Sequence, residues 1–217
     1  RGLESGATVA IQGYGNAARV FARRAAAAGY RIIAVADSKG ATLDRDGLDV
    51  AALAEHKDET GSVKGFAVAL DPDELLGLDC DLLVPAALGG VIDADVAQSL
   101  RCRAILEIAN GPVSPDADAV LAERGIEVLP DILANAGGVI VSYHEWVQGK
   151  TGDYWPAEIV SERLEARLVA ASEAVVEHAE RHGTGLRQGA YLLALERLCA
   201  AISATGTQTF YNGEAGG

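Results

Sequence analysis

Residues 13–18 read Gly13-Tyr14-Gly15-Asn16-Ala17-Ala18, a spacing in which the main chain, not a side chain, does the chemistry. Gly13 permits a tight turn, and Gly15 lets the backbone approach a pyrophosphate. The free N–H groups and positive dipole end of a following helix then favour that anion. Ala18 stands in for the motif's third glycine, which the pattern tolerates. About 20 residues further on, Asp37 has the type and place to accept hydrogen bonds from adenosine ribose hydroxyls. The bland alternative is a structural turn followed by an acid that merely ends a strand. The context argues against it. Residues 7–12 form a short apolar, β-branched stretch ahead of the turn. Behind it Val20, Phe21, Ala25 and Ala28 recur at helical spacing until Gly29 stops the run, and residues 31–36 make a second strand ending on Asp37.

Other candidates follow from one rule: in an open parallel sheet, ligands bind beyond the carboxyl ends of the strands. Read this way, the strand-end segments are Gly13 to Ala17, Asp37-Ser38, Pro85-Ala86-Ala87, Asn110-Gly111-Pro112 and Asn135-Ala136-Gly137-Gly138. Two asparagines among small residues suit a flat carboxamide, because each offers both donor and acceptor. Taken singly, such residues are ordinary turn formers; five such turns on one edge point to a site. His178 and His182 lie four apart with no third ligand near, so a solvated helix face is expected rather than a metal. There is no Gly-x-Ser-x-Gly elbow, no phosphate loop ending in Gly-Lys-Ser/Thr and no His-Glu-x-x-His. No acid–base pair flanks the proposed ring site, and Lys150, the only lysine after Lys64, reads as part of a polar loop.

The 217 residues are 49% hydrophobic and 23% charged, enough apolar content to bury a sizeable core. No apolar run approaches the ~20 residues of a membrane span, so neither a membrane-spanning segment nor a signal peptide is expected within these residues. Cys80, Cys102 and Cys199 are odd in number and widely spaced, which favours a reducing cytoplasm over a disulfide framework or zinc. The net charge of −13 would repel a phosphate backbone, so nucleic acid is not an expected partner, and with no spanning run neither is a membrane. Only four basic residues are lysines, which suits either a high-salt surface or an ordinary acidic cytosolic protein. Methionine is absent and the chain opens at Arg1, so a piece of something longer is expected.

Strand and helix signals alternate along most of the chain, the pattern of a parallel-type sheet covered on both faces. Beyond the first two strands, a polar turn and loop reach Gly47, and a helix is expected from about Leu48 to Asp58. A short strand falls within 61–70, and Asp71-Pro72 opens a brief helix. Residues 80–84, 104–109 and 126–129 read as further strands, with helices opened by Asp93 and by Ser114-Pro115 between them. Val160, Leu164, Leu168, Val175 and Ala179 then stripe one long helix, and Leu192, Leu195, Leu198 and Ile202 a second. Residues 211–217 read as a frayed, glycine-rich end. The expected fold is α/β, a doubly wound, mostly parallel Rossmann-like sheet with helices on both faces and a C-terminal helical extension. A core over residues 1–150 and an extension over 151–217 form one domain in this reading.

Longer motifs carry a specific resemblance. Residues 107–112 (Glu107-Ile108-Ala109-Asn110-Gly111-Pro112), 130–139 (Pro130 to Val139) and 141–148 (Val141-Ser142-Tyr143-His144-Glu145-Trp146-Val147-Gln148) are similar to the glutamate dehydrogenase family. So are Gln12 to Asn16 and Asp81 to Leu88, in the family's order, and the likeness runs from about residue 6 to about 205.

The resemblance implies reversible oxidative deamination of L-glutamate to 2-oxoglutarate and ammonia with NAD or NADP. Family subunits have two domains, and this chain resembles the second, a modified dinucleotide-binding fold with one strand reversed. The catalytic lysine and aspartate belong to the other domain, so this chain alone is expected to be inactive. By motif, Gly13, Tyr14, Gly15, Asn16 and Ala17 hold the pyrophosphate, with Asp37 and Ser38 near the adenosine ribose. Ala86, Ala87 and Asn110 line the nicotinamide side, and Asn135 reaches nicotinamide and substrate together. Val139 and Ser142 face the substrate side chain. Leucine, valine and phenylalanine relatives typically carry an apolar residue where Ser142 offers a hydroxyl that can bond a distal carboxylate, so glutamate is the expected substrate. His144 stands where an aromatic or aliphatic residue is usual. Asp37 would repel a 2′-phosphate and Lys39 attract one; the expectation leans to NAD. The family is commonly hexameric, so a homo-oligomer is expected at full length. The alternatives are a stand-alone NAD(P)-binding or redox-sensing module, or the coenzyme domain of a leucine, valine or phenylalanine dehydrogenase.

Overall fold

The structure, a computed structural model, describes residues 3–205; the expected fray at 211–217 lies outside them. The chain divides into two compact units, one reaching Asn135 and the other beginning at Ala136.

The first unit is built on seven strands: β1 (Thr8–Gln12), β2 (Arg31–Asp37), β3 (Gly40–Leu43), β4 (Val68–Leu70), β5 (Asp79–Pro85), β6 (Arg101–Leu106) and β7 (Glu127–Leu129). Their order across the sheet is β4-β3-β2-β1-β5-β6-β7. All pairings are parallel except those of β3, which runs antiparallel to both β2 and β4. This is the single reversed strand. The loop expected between Ser38 and Gly47 therefore contains it. Asp37 and Gly40 are paired across the turn, so Ser38-Lys39 is a two-residue hairpin connection, too short to carry the chain across the sheet to a parallel position.

Helices α1 (Asn16–Ala27), α2 (Val50–Thr60), α3 (Pro72–Leu75), α4 (Ala94–Ser99) and α5 (Pro115–Glu123) clothe the sheet. Strand alternation sends successive side chains to opposite faces. Val9, Ile11, Ile32 and Val35 pack with Ala18, Ala22 and Ala25 of α1 and Leu53 of α2 on one face. Ala10, Ile33, Leu83 and Ile105 pack with Leu75, Ala97, Ala117 and Leu121 on the other. Each fully buried Ile or Leu contributes roughly 1.5–3 kcal/mol. Four acidic or hydroxyl side chains start helices as the sequence rules require, Asp49, Asp71, Asp93 and Ser114 each accepting from a first-turn N–H.

After β7, a short α6 (Asp131–Ala134) closes the first unit. The second unit holds α7 (Gly137–Thr151), α8 (Ala157–His182) and α9 (Leu186–Thr205). Several expectations change here. Asn135 to Gly138 is no strand-end turn: it joins α6 to α7. Lys150 sits in the last turn of α7 rather than in a loop. The two glycines fall in the helix's first turn, where they escape the full penalty of a mid-helix glycine. The first expected stripe lies along the buried side of α8, ending on the buried Val175 and Ala179, whereas Leu195, Leu198 and Ile202 of the second are exposed on α9, whose buried apolar side chains are Ala190 and Leu193. At Gly189 a side chain would come within 2.9 Å of the Ala179 Cβ and backbone nitrogen, so glycine permits this close approach of the two helices. His178 is buried and bonds Glu196 Oε2 through Nε2 at 2.8 Å, tying α8 to α9 instead of lining a solvated face. No group of potential metal ligands assembles among the described residues.

Candidate functional site

The strand order reverses direction between β1 and β5, since β2 lies to one side of β1 and β5 to the other. A crevice opens at such a switch point beyond the carboxyl ends of the strands, and the glycine turn sits there. The Gly13 N–H donates to the Ala36 carbonyl at 2.9 Å, and the Ala86 N–H to the Gln12 carbonyl at 2.7 Å. Gly13 has φ +98°, and a Cβ would lie 2.7–2.8 Å from Ala86 and Ala87 atoms. Only glycine fits on both counts. Gly15 differs: it is the N-cap of α1 at φ −83°, and nothing lies within 4 Å of where its Cβ would be. No side chain caps this helix, and no acid stands in its first turn. Gly15, Asn16 and Ala17 are exposed. The first-turn N–H groups thus face outward with the helix dipole behind them, the arrangement that binds phosphate. Tyr14 is only 2% exposed, with its ring in the core and its hydroxyl 3.5 Å from the Val50 carbonyl. It can offer an anion its backbone alone. Gln12 Oε1 is buried beside the turn without a partner among the described residues.

Asp37, at the end of β2, is enclosed rather than presented. Its Oδ1 accepts from the Lys39 and Gly40 N–H groups at 2.9 and 3.2 Å and from Ser62 Oγ at 3.1 Å. Its Oδ2 accepts from Lys57 Nζ at 3.0 Å and from the Val63 N–H at 2.8 Å. The side chain is 6% exposed. Burial alone would raise the Asp37 pKa. The Lys39 amide, the Lys57 ammonium and the Val63 amide outweigh it and hold the carboxyl below its ordinary value. Lys57 Nζ also lies 5.6 Å from the centre of the Tyr14 ring, linking this corner to the glycine turn. Lys57, Ser62 and Val63 escaped the sequence reading. The available clue was that a chain with so few lysines places three of them at 39, 57 and 64.

On the β5–β6 side, the Ile108 and Ala109 N–H groups both donate to the Pro85 carbonyl, at 3.1 and 3.0 Å. That fixes Ala86-Ala87 relative to Asn110. Glu107 is fully buried and accepts from the Asp131 N–H at 2.8 Å, and Asp131 Oδ2 accepts from the Gly111 N–H at 2.8 Å. This relay pins the start of α6 to the loop after β6. As a result Asn135 Nδ2 reaches Asn110 Oδ1 at 2.7 Å and the Ile108 carbonyl at 3.4 Å. Two asparagines separated in sequence meet as one polar pair. Glu107 and Asp131, which position them, were not among the expected site residues.

In the second unit, Val139 and Ser142 are three apart on α7, and both are exposed. Within that unit His144 is buried, with Nδ1 unpartnered among the described residues. Its imidazole packs edge-on to Trp155 at 5.7 Å between ring centres. Burial, then the Arg167 and Arg163 charges, push its pKa below the ordinary histidine value.

Comparison with known proteins gives one consistent result. The model of the glutamate/leucine/phenylalanine/valine dehydrogenase family matches residues 2–206. An NADP-specific glutamate dehydrogenase of Halobacterium salinarum is 49% identical over 94% of this chain and 50% of its own length. An NAD-specific glutamate dehydrogenase of Staphylococcus aureus is 41% identical over 90% and 48%. Among solved structures, a hetero-hexameric glutamate dehydrogenase of Thermus thermophilus superposes with a TM-score of 0.87 at 41% identity, covering 93% of this chain and 48% of that one. The chain spans about half the length of the curated relatives it matches.

Proposed function

Because this chain belongs to the glutamate/leucine/phenylalanine/valine dehydrogenase family, we propose that it is the coenzyme-binding part of an NAD(P)-dependent glutamate dehydrogenase. The observation that carries this reading is the open, uncapped turn from Gly13 to Ala17 at the β1/β5 switch point. Its outward N–H groups would hold the pyrophosphate, with Ser38 beside the adenosine ribose and Asp37 shaping that end. Ala86, Ala87 and the Asn110–Asn135 pair would meet the nicotinamide and its carboxamide. A bound dinucleotide supplies a two-electron hydride carrier, the redox partner that oxidative deamination of an amino acid requires. The chain's own residues bind and orient; the relay from buried Glu107 through Asp131 keeps the two asparagines in register.

Substrate choice rests on α7. The Ser142 hydroxyl, with Val139 one turn earlier, is suited to a distal carboxylate, which supports L-glutamate and 2-oxoglutarate over leucine, valine or phenylalanine. The whole enzyme would work as a homo-oligomer in the cytoplasm, a setting that agrees with three free cysteines. No helix among the described residues is long and apolar enough to cross a membrane. Calorimetric titration of the purified chain with NADH and with NADPH tests the core of this reading. Heat of binding without deamination of glutamate by the chain alone is the expected result. Absence of heat with either coenzyme at millimolar concentration overturns it.

A further inference from the structure

We propose that the corner around Asp37 is built to receive a 2′-phosphorylated ribose, so that this chain takes NADP in preference to NAD, with Lys39 and Lys64 as the phosphate-binding cations and Lys57 as the positioning residue that neutralises Asp37. The proposal rests on the coenzyme reading given above and adds the identity of the ribose end.

An acid at the end of the second strand excludes a 2′-phosphate only if its charge and oxygens face the ribose. Here they do not. Five donors from three different segments converge on the carboxylate, and it is 6% exposed. A carboxylate offers about four lone-pair directions, so none is left over for two ribose hydroxyls. Its negative charge is matched at 3.0 Å by the Lys57 ammonium. The acid has become an internal strut that binds the hairpin at 38–40 to the 62–63 loop.

Beside that neutral pair stand two further lysines. Lys39 and Lys64 are both exposed. Lys64 lies across Gly40, whose Cβ would meet its side-chain carbons at 3.0–3.2 Å, and Lys39 Nζ would lie 3.1 Å from a Cβ on Gly61. Both cations are therefore rooted in the two segments that Asp37 joins. Nearby Asp58 does not cancel them, because it is paired with Arg19 at 2.8 Å. In a chain of net charge −13 with only four lysines, three sit at this corner. A concentration of cations against the overall charge is the field a phosphate dianion selects.

The test titrates the purified chain with NADPH and NADH by nicotinamide fluorescence, in the unaltered protein and in a Lys39→Gln/Lys64→Gln variant. Both lysines are exposed, so circular dichroism and thermal unfolding should match the parent. The expected result is NADPH binding about tenfold or more tighter than NADH, equivalent to about 1.4 kcal/mol. That preference should fall to within about twofold in the variant and shrink with added salt, as exposed charge contacts do. Equal binding of the two coenzymes, tighter NADH binding, or an unchanged NADPH preference in the variant overturns the proposal while leaving the coenzyme reading intact. Failure of both coenzymes to bind removes the coenzyme reading itself, and the proposal with it.

Discussion

The Asn135 side-chain amide donates to Asn110 Oδ1 at 2.7 Å, across the gap between the end of α6 and the loop after β6. Each asparagine thereby spends one group on the other and is held in a fixed amide orientation. Asn110 keeps its Nδ2 donor and Asn135 its Oδ1 acceptor, the complementary set for a primary carboxamide.

The pair should therefore act as a unit. Asn110→Ala and Asn135→Ala are each expected to weaken coenzyme binding by roughly 3–10-fold, the equivalent of one hydrogen bond. The double variant should fall short of the product of the two single effects, because either substitution already frees the other side chain. A titration series of the four proteins checks this. Fully multiplicative losses would mean that the two side chains act separately.

The two glycines of the turn predict opposite phenotypes. Gly13→Ala forces a side chain into φ +98° and into Ala86 and Ala87 at 2.7–2.8 Å, and should cost roughly 2–4 kcal/mol of stability in denaturant unfolding. Gly15→Ala meets open space at φ −83°. It should leave stability within about 0.5 kcal/mol while weakening coenzyme affinity, because the added methyl occupies the place where a diphosphate must approach the backbone.

Asp37 sets an acid-sensitive component of stability. Its folded pKa lies below the ordinary carboxylate value, so the native state binds its proton less readily than the unfolded chain does. The resulting stabilisation is complete above the unfolded pKa of ~3.9 and is lost as pH falls through the lower folded value. Asp37→Asn should lower stability at pH 7 by roughly 1–3 kcal/mol, through the broken contacts to Lys57 and the loop amides. It should also flatten the acid limb of the stability–pH curve. An acid limb unchanged in Asp37→Asn would sink this account.

The hydrophobic pattern and the glycine turn made most of the sheet legible, because both are local in sequence. Val9 and Ile11 alternate as strand residues must, and they share one face of the sheet with Ile32 and Val35, which a register shift at Ile33 brings to the same side although they are three residues apart. The enclosure of Asp37 was not legible in the same way. An acid at a strand end looks identical whether it faces a ribose or a lysine, and its partners at 57, 62 and 63 come from the end of α2 and the loop after it, far along the chain. Helix α7 was obscured for a local reason: Gly137-Gly138 has the composition of a turn, and only the three-dimensional course shows the pair opening a helix. Asn110 and Asn135 could be picked out by type, but their contact depends on Glu107 and Asp131, whose acidic side chains give no sign in sequence of an inward, positioning role.

His144 yields the last prediction, from a polar atom left without a partner. Its Nδ1 is buried unpaired among the described residues, and burial together with Arg167 and Arg163 lowers its pKa. A histidine with a depressed folded pKa stabilises the fold fully above its unfolded value of ~6.5, and that stability drains away as pH falls through the folded value, because the unfolded chain takes up the proton first. His144→Phe removes both the unpaired nitrogen and the titration while keeping an aromatic ring against Trp155. It should raise stability by about 1–2 kcal/mol at pH 7, and by more at pH 5, where the parent is losing ground and the variant is not. Denaturant unfolding of both proteins from pH 8 to pH 5 measures the difference. A gap that narrows toward pH 5 would mean that His144 takes its proton in the folded state as readily as in the unfolded one.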